Sequence, residues 1–325
     1  MRSYTLARLK QHLNIPGASF DAVLHVGDIA YDLRQNAGRT GDEFLADMEP
    51  VSSTVPYLTC PGNHERDCVD AHNKPLGSCN NPPYTNYRAR FAMPTAAAGL
   101  HWSADIGYVH VISLNTDLWL LPDSSETQKE PIAAQLAWLE ADLKLAAANR
   151  KRVPWIVAIG HEMLYTTHDE GHLKQAATLR AGGLEALFHR YGVDLYFSGH
   201  EHVYEHFARV YNSTQCTMAE NCTAYIVVGN AGNREFPYRY SNGTIEKFLY
   251  PQPSYERFRS TSPAGFGLLD VNETAMQWRQ LNAKSGTVID QHLYTRCLKM
   301  DDVVSSNVND LRGDDSTNMV AAVSG

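Results

Sequence analysis

The sequence predicts an α/β protein. Short apolar runs alternate with amphipathic stretches along most of the chain, and several runs end in the same kind of turn, a glycine followed by polar residues. Composition supports a folded domain: 43% of the 325 residues are hydrophobic, 20% charged and 10% aromatic, enough material for a sizeable core. The formal charge of −8 has the wrong sign for a nonspecific nucleic-acid binder. No apolar run approaches the roughly 18–20 residues that a membrane-spanning helix needs. The opening MRSYTLARLKQHLNIPG lacks the apolar centre of a signal peptide.

Strands are expected at 22–26, 55–59, 109–114, 155–159, 195–198 and 225–228, and helices at 5–13, 41–48, 131–149 and 174–191. The third helix carries Leu136, Leu139 and Leu143 on one face, and Pro131 suits its first turn. Segment 68–87, rich in Asn and Pro, reads as a long ordered loop. From about residue 225 to 293 the texture changes to short strands and turns, an extension packed on the main domain. The polar tail after Cys297 is expected to be disordered, and no internal repeat occurs. The chain thus divides into 1–210, 211–297 and 298–325.

Cysteines and sequons bear on compartment. Cys68 with Cys79, and Cys216 with Cys222, are close in sequence and make plausible disulfides. Asn-x-Ser/Thr triplets stand at Asn212, Asn221, Asn242 and Asn272, and three of them cluster around Cys216 and Cys222. That pairing suggests a glycoprotein made for the secretory route.

Four strand ends carry the chemistry. They are Gly27-Asp28-Ile29-Ala30-Tyr31, Gly62-Asn63-His64-Glu65, Gly160-His161 and Gly199-His200-Glu201-His202. Ligands bind outside the carboxyl ends of strands in open α/β sheets, so the four turns can converge. A carboxylate, an amide oxygen, a phenol and several imidazoles suit a borderline-to-hard metal pair and not a thiolate zinc site. A single Gly-Asp or His-x-His is usually a turn or a surface pair. Four such turns in order are not a coincidence.

The set GDIAY, GNHE, GH and GHEH resembles the ordered motifs of the metallophosphoesterase superfamily. Tyr31 within GDxxY narrows the resemblance to purple acid phosphatases, most of all the animal iron/zinc purple acid phosphatase-like proteins. Segments GDEFLADMEPV, NYRARFAMP and STSPAGFGLL agree, and the resemblance covers roughly residues 4–295. It implies a β-sandwich of mixed sheets flanked by helices in α/β/β/α layers. Residues 1–210 would be the catalytic domain and 211–297 the C-terminal extension completing it.

The resemblance also implies roles. Asp28 would bridge Fe(III) and a divalent metal (Zn, Mn or Fe). Tyr31 and His202 would bind the ferric ion, the phenolate giving the family its purple colour. Asn63, His161 and His200 would hold the divalent metal. His64 would act on substrate as the acid, and His168 and His172 are loose matches to side chains that touch phosphate. Glu65 and Glu201 read as supports of these ligands. The implied reaction is hydrolysis of phosphate monoesters, small or on phosphoproteins, by a metal-activated hydroxide, in a secreted or lysosomal acid phosphatase. A phosphodiesterase or nucleotidase of the same superfamily is the other enzyme reading, and Tyr31 weighs against it.

Two departures stand out. Ala158 occupies a position where the family usually has valine. More important, purple acid phosphatases carry an Asp-x-Gly motif on a first strand, whose Asp ligates iron. No Asp-x-Gly precedes Asp28, and the only earlier acidic residue is Asp21. The expectation is therefore a sheet lacking its first strand, with two open edges, poor solubility, at most about one metal and impaired activity. That makes a catalytically weak, truncated form the alternative to an active phosphatase.

Overall fold

A computed structural model describes residues 2–14, 20–67, 83–94, 100–120, 126–217, 220–232, 248–249, 251–261, 263–296 and 317–322. Two sheets face each other. One is built from β1 (Ala22–His25), β2 (Tyr57–Thr59), β11 (Gly265–Val271), β12 (Ala275–Asn282), β13 (Val288–Thr295) and β14 (Thr317–Ala322), in the order β13-β12-β11-β14-β1-β2. The other uses β3 (Trp102–Ile106), β4 (Val109–Leu114), β5 (Trp155–Gly160), β6 (Leu195–Ser198), β7 (Tyr204–Tyr211), β9 (Thr223–Val228) and β10 (Glu256–Ser260), in the order β10-β7-β9-β6-β5-β4-β3. A short β8 (Thr214–Gln215) pairs with β7.

Alternation along the strands assigns the layers. In β5, Trp155, Val157 and Ile159 join the core between the sheets, while Ile156 and Ala158 face the other way. In β1, Ala22 and Leu24 point into the same central core and Val23 points out. Each outward face is covered by helices. α1 (Arg2–Leu13) and α2 (Arg39–Ser52) bring Leu9, Met48 and Val51 against Val23, Phe266 and Leu268. On the far side, α4 (Glu126–Ala148), α5 (Glu170–Ala181) and α6 (Leu184–Tyr191) bring Leu139, Leu143, Leu179 and Phe188 against Ile156 and Tyr196. A short α3 (Thr85–Arg90) follows β2 in the chain. The layers run α/β/β/α, as expected. Strands covered on both faces are apolar throughout, so β5 reads WIVAIG and is buried at every residue.

Two expectations need correction. The helix expected at 174–191 is two helices, broken at Gly182 and Gly183. Gly183 has φ +99°, and a Cβ at Gly182 would lie 2.2 Å from the Trp119 indole nitrogen, so neither position accepts an ordinary helical residue. The tail is not disordered throughout. Residues 317–322 form β14, parallel to β1 in the register Met319 beside Ala22, and antiparallel to β11. Met319 is completely buried in the central core, a burial that contributes roughly 1.5–3 kcal/mol. Among the described residues no strand precedes β1, yet the edges of β1 and β11 are paired. The polar linker before residue 317 hid a strand too short to be recognised by period.

Cys216 and Cys222 form a disulfide, and Cys60 is a buried free thiol. The expected Cys68–Cys79 pair and Asn242 lie outside the described residues. Asn212 and Asn221 are exposed. The amide oxygen of Asn272 instead accepts the backbone N–H groups of Thr274 and Ala275.

Candidate metal centre

Four chain turns meet where the two sheets abut. Asp28 and Tyr31 follow β1, Asn63 and His64 follow β2, His161 follows β5, and His200 and His202 follow β6. The first turn is forced into unusual backbone: Gly27, Asp28, Ala30 and Tyr31 all have positive φ, as does His200. Position 27 requires glycine, because a Cβ there would come within 2.6 Å of His161 Nδ1. Non-glycine residues in this region cost of order 1–3 kcal/mol each, so something must hold them.

Glu65 does so. Its buried carboxylate accepts the backbone N–H groups of Asp28 (2.7 Å), Ile29 (2.6 Å) and Gly62 (2.8 Å). It thereby ties the turn after β1 to the turn after β2. The backbone N–H of His64 adds a bond to Asp28 Oδ1 at 3.1 Å.

The predicted ligands converge. His161 Nδ1 is 2.8 Å from the carbonyl of Val26, which leaves Nε2 facing Asn63 Oδ1 at 3.0 Å and Asp28 Oδ2 at 3.2 Å. His200 Nδ1 lies 3.1 Å from the same Asn63 oxygen and 3.2 Å from His161 Nε2. Three donors around one point, with two imidazole nitrogens in contact, fit a shared cation better than a hydrogen-bond set. On the other side, the Tyr31 hydroxyl is 2.5 Å from His202 Nε2. Four of the six residues named from the sequence thus converge on one point and the other two pair with each other, and their donor chemistry suits borderline-to-hard metals.

The charges agree. Burial pushes His200 down to about 3 and His202 to about 4, favouring the neutral imidazoles that metals bind. Burial also opposes a charged His161, but Asp28 outweighs it and holds that ring up to about 10, so a cation there must displace a proton. Burial disfavours ionised Asp28, yet His161 and His64 hold its carboxyl well below the usual range.

His64 is placed differently. Its ring packs 4.3 Å from that of Tyr31, and its Nδ1 bonds Asp32 Oδ1 at 2.9 Å. Burial works against its charge, but Asp28 and the Asp32 bond raise it to about 9. His168 and His172 do not stand free over the centre, because the Nδ1 atoms of both contact the carboxylate of Glu201. His168 is fully buried, whereas the His172 side chain is 23% exposed and its ring lies 5.3 Å from that of His200.

Two further acids lie here. Asp32 directly follows Tyr31, and Glu162 directly follows His161, buried with Oε1 3.5 Å from His200 Nδ1. Adjacency to a ligand was the available signal.

Residues 2–204 match the calcineurin-like phosphoesterase family, and residues 222–291 match the iron/zinc purple acid phosphatase-like protein C region. The chain is 35% identical over 308 residues to acid phosphatase type 7 of Danio rerio, covering 88% of this chain and 64% of that one. It is 37% identical over 234 residues to acid phosphatase type 7 of Homo sapiens, covering 70% and 46%. Among solved structures, purple acid phosphatase PPD1 from yellow lupin superposes with a TM-score of 0.69 at 22% identity, over 94% of this chain and 52% of that one. The chain thus spans about half to just under two thirds of the length of these relatives, and the lupin likeness shows the fold.

Proposed function

Because the chain belongs to the calcineurin-like phosphoesterase family and carries the C-terminal region of iron/zinc purple acid phosphatase-like proteins, we propose that it hydrolyses phosphate monoesters at a two-metal centre. One observation carries this: Asp28, Asn63, His161 and His200, from strand ends of both sheets, converge within hydrogen-bonding distance, with the Tyr31–His202 pair and His64 following the same turns. Asp28 would bridge the metals, with Tyr31 and His202 on a ferric ion and Asn63, His161 and His200 on a divalent one. Bound there, the pair supplies a water of lowered pKa and positive charge facing the phosphoryl oxygens.

The chain's own residues do the rest. Glu65 keeps the Asp28 and Asn63 turns in place, and Val26 orients His161 through its Nδ1. His64 donates its Nδ1–H to Asp32, a bond that favours its charged form and leaves Nε2–H for a phosphoryl or leaving-group oxygen. Passage through the secretory route is part of the reading, supported by the Cys216–Cys222 disulfide and the exposed Asn212 and Asn221.

A one-metal reading has its own support. Among the described residues only Asp28 supplies a carboxylate within the six-ligand set, and the Tyr31 hydroxyl and His202 Nε2 are within hydrogen-bonding distance of each other. The test is reconstitution with Fe(III) and Zn(II), followed by metal counting, a visible spectrum and hydrolysis of p-nitrophenyl phosphate at acid pH. Two metals with a visible band support the proposal. His64→Ala should then lower kcat/KM by about 10²–10⁴-fold with metal content unchanged, and Tyr31→Phe should remove the band. One metal and no turnover would sink it in favour of the one-metal form.

A further inference from the structure

We propose that His168, His172 and Glu201 form a separate cation site, for a zinc-class divalent ion, beside the six-residue centre. One ring nitrogen each of His168 and His172 and a carboxylate oxygen of Glu201 all lie within 4.8 Å of one another. Two imidazoles turn the same ring nitrogen toward the two oxygens of one carboxylate. A site of two imidazoles and one carboxylate is a donor set that zinc takes, with three protein ligands and one position open.

The surroundings point the same way. His168 and Glu201 are buried, so the pocket is closed on that side, while the partly exposed His172 edge gives the open position. Glu162 is also buried here. Its Oε1 lies 3.5 Å from His200 Nδ1, and its Oε2 has no hydrogen-bond partner among the described residues. A buried carboxylate oxygen without a partner is costly, and a cation beside it would satisfy it.

The ligands are also held in advance. His168 precedes Asp169, whose side chain caps α5 by accepting the N–H of Gly171, and His172 sits in the first turn of that helix. The loop before them is pinned by buried Glu205, which accepts bonds from the Thr166 hydroxyl and the Thr167 N–H. Phe248 packs edge-on against the His168 ring at 5.3 Å. Ligands so oriented are what a cation site needs.

Reconstitution with Zn(II) alone, followed by desalting and metal counting, tests this through a difference. His172→Ala should hold one equivalent less than the parent, whatever the parent's total. In a His161→Ala background, where the six-residue centre is damaged, the same one-equivalent loss should persist, which separates this proposal from the two-metal reading. Should His172→Ala fail to fold, anomalous diffraction from zinc-loaded parent protein decides alone. A peak between both Nδ1 atoms and Glu201 is expected. No peak, or equal zinc in parent and His172→Ala, would overturn the proposal and leave the two histidines as hydrogen-bond donors to Glu201.

Discussion

The two halves of the metal centre are built in opposite ways. His161 and His200–His202 end β5 and β6, neighbouring parallel strands in a run, β4-β5-β6-β9, whose members are mostly buried on both faces. Asp28 and Asn63 end β1 and β2, and β1 is completed on its other side by β14 from the far end of the chain. The second-sheet half rests on close-packed strands. The first-sheet half rests on strained turns, one buried carboxylate and a strand delivered from about three hundred residues away. Ligand placement can therefore come from packing or from polar ties, and the second kind is open to single-residue failure.

Removing residues 313–325 should break the first-sheet half most severely. Without β14, β1 and β11 become open edges and the Met319 pocket empties. Little soluble protein is expected, judged by yield and size-exclusion profile. A well-folded truncated protein would show that β14 does not complete this sheet.

Glu65→Ala comes next. It leaves the buried N–H groups of Asp28, Ile29 and Gly62 without their acceptor, at about 1–3 kcal/mol for such a loss. A total of about 3–5 kcal/mol is expected in urea unfolding, with metal binding lost alongside. A cost under about 1 kcal/mol would mean the turns hold themselves.

A paired test sharpens the contrast. Met319→Ala and Ile159→Ala each empty part of the same central core, one from each sheet. Both should cost about 2–5 kcal/mol. A near-zero cost at Met319 alone would show that the first sheet tolerates loss of its inserted strand.

The smallest expected effect concerns pH. His64 is raised above its ordinary value with help from Asp32, so the stability this pair contributes is fully present below about 6.5 and is lost as pH rises through about 9. In metal-free protein, Asp32→Asn should cost about 1–2 kcal/mol at pH 6 and nearly nothing at pH 10. A pH-independent cost would mean Asp32 acts by packing.

By itself the sequence indicated β1, β2, β4, β5, β6 and β9, the four glycine-led turns and the six candidate ligands. Each is local: an apolar run marks β5 or β6, and a glycine before Asp28 or His161 marks the turn that follows. The layers followed from the family resemblance that those turns carry, and a strand apolar at every residue, such as β5, agrees with cover on both faces. The tertiary structure decided what depends on distant partners. TNMVAA is an unremarkable hexapeptide until β1 and β11 offer it hydrogen bonds and Met319 a pocket. The break at Gly182 and Gly183 needs Trp119 beside it to be more than two glycines in a helix. Glu65 and Glu201 stood in the motifs as supports, but which N–H group or imidazole each carboxylate holds, and that Asp32 and Glu162 join them, was decided by the fold. Hydrogen bonds and charge pairs act over a few ångströms, so their partners are set by the fold and not by sequence spacing.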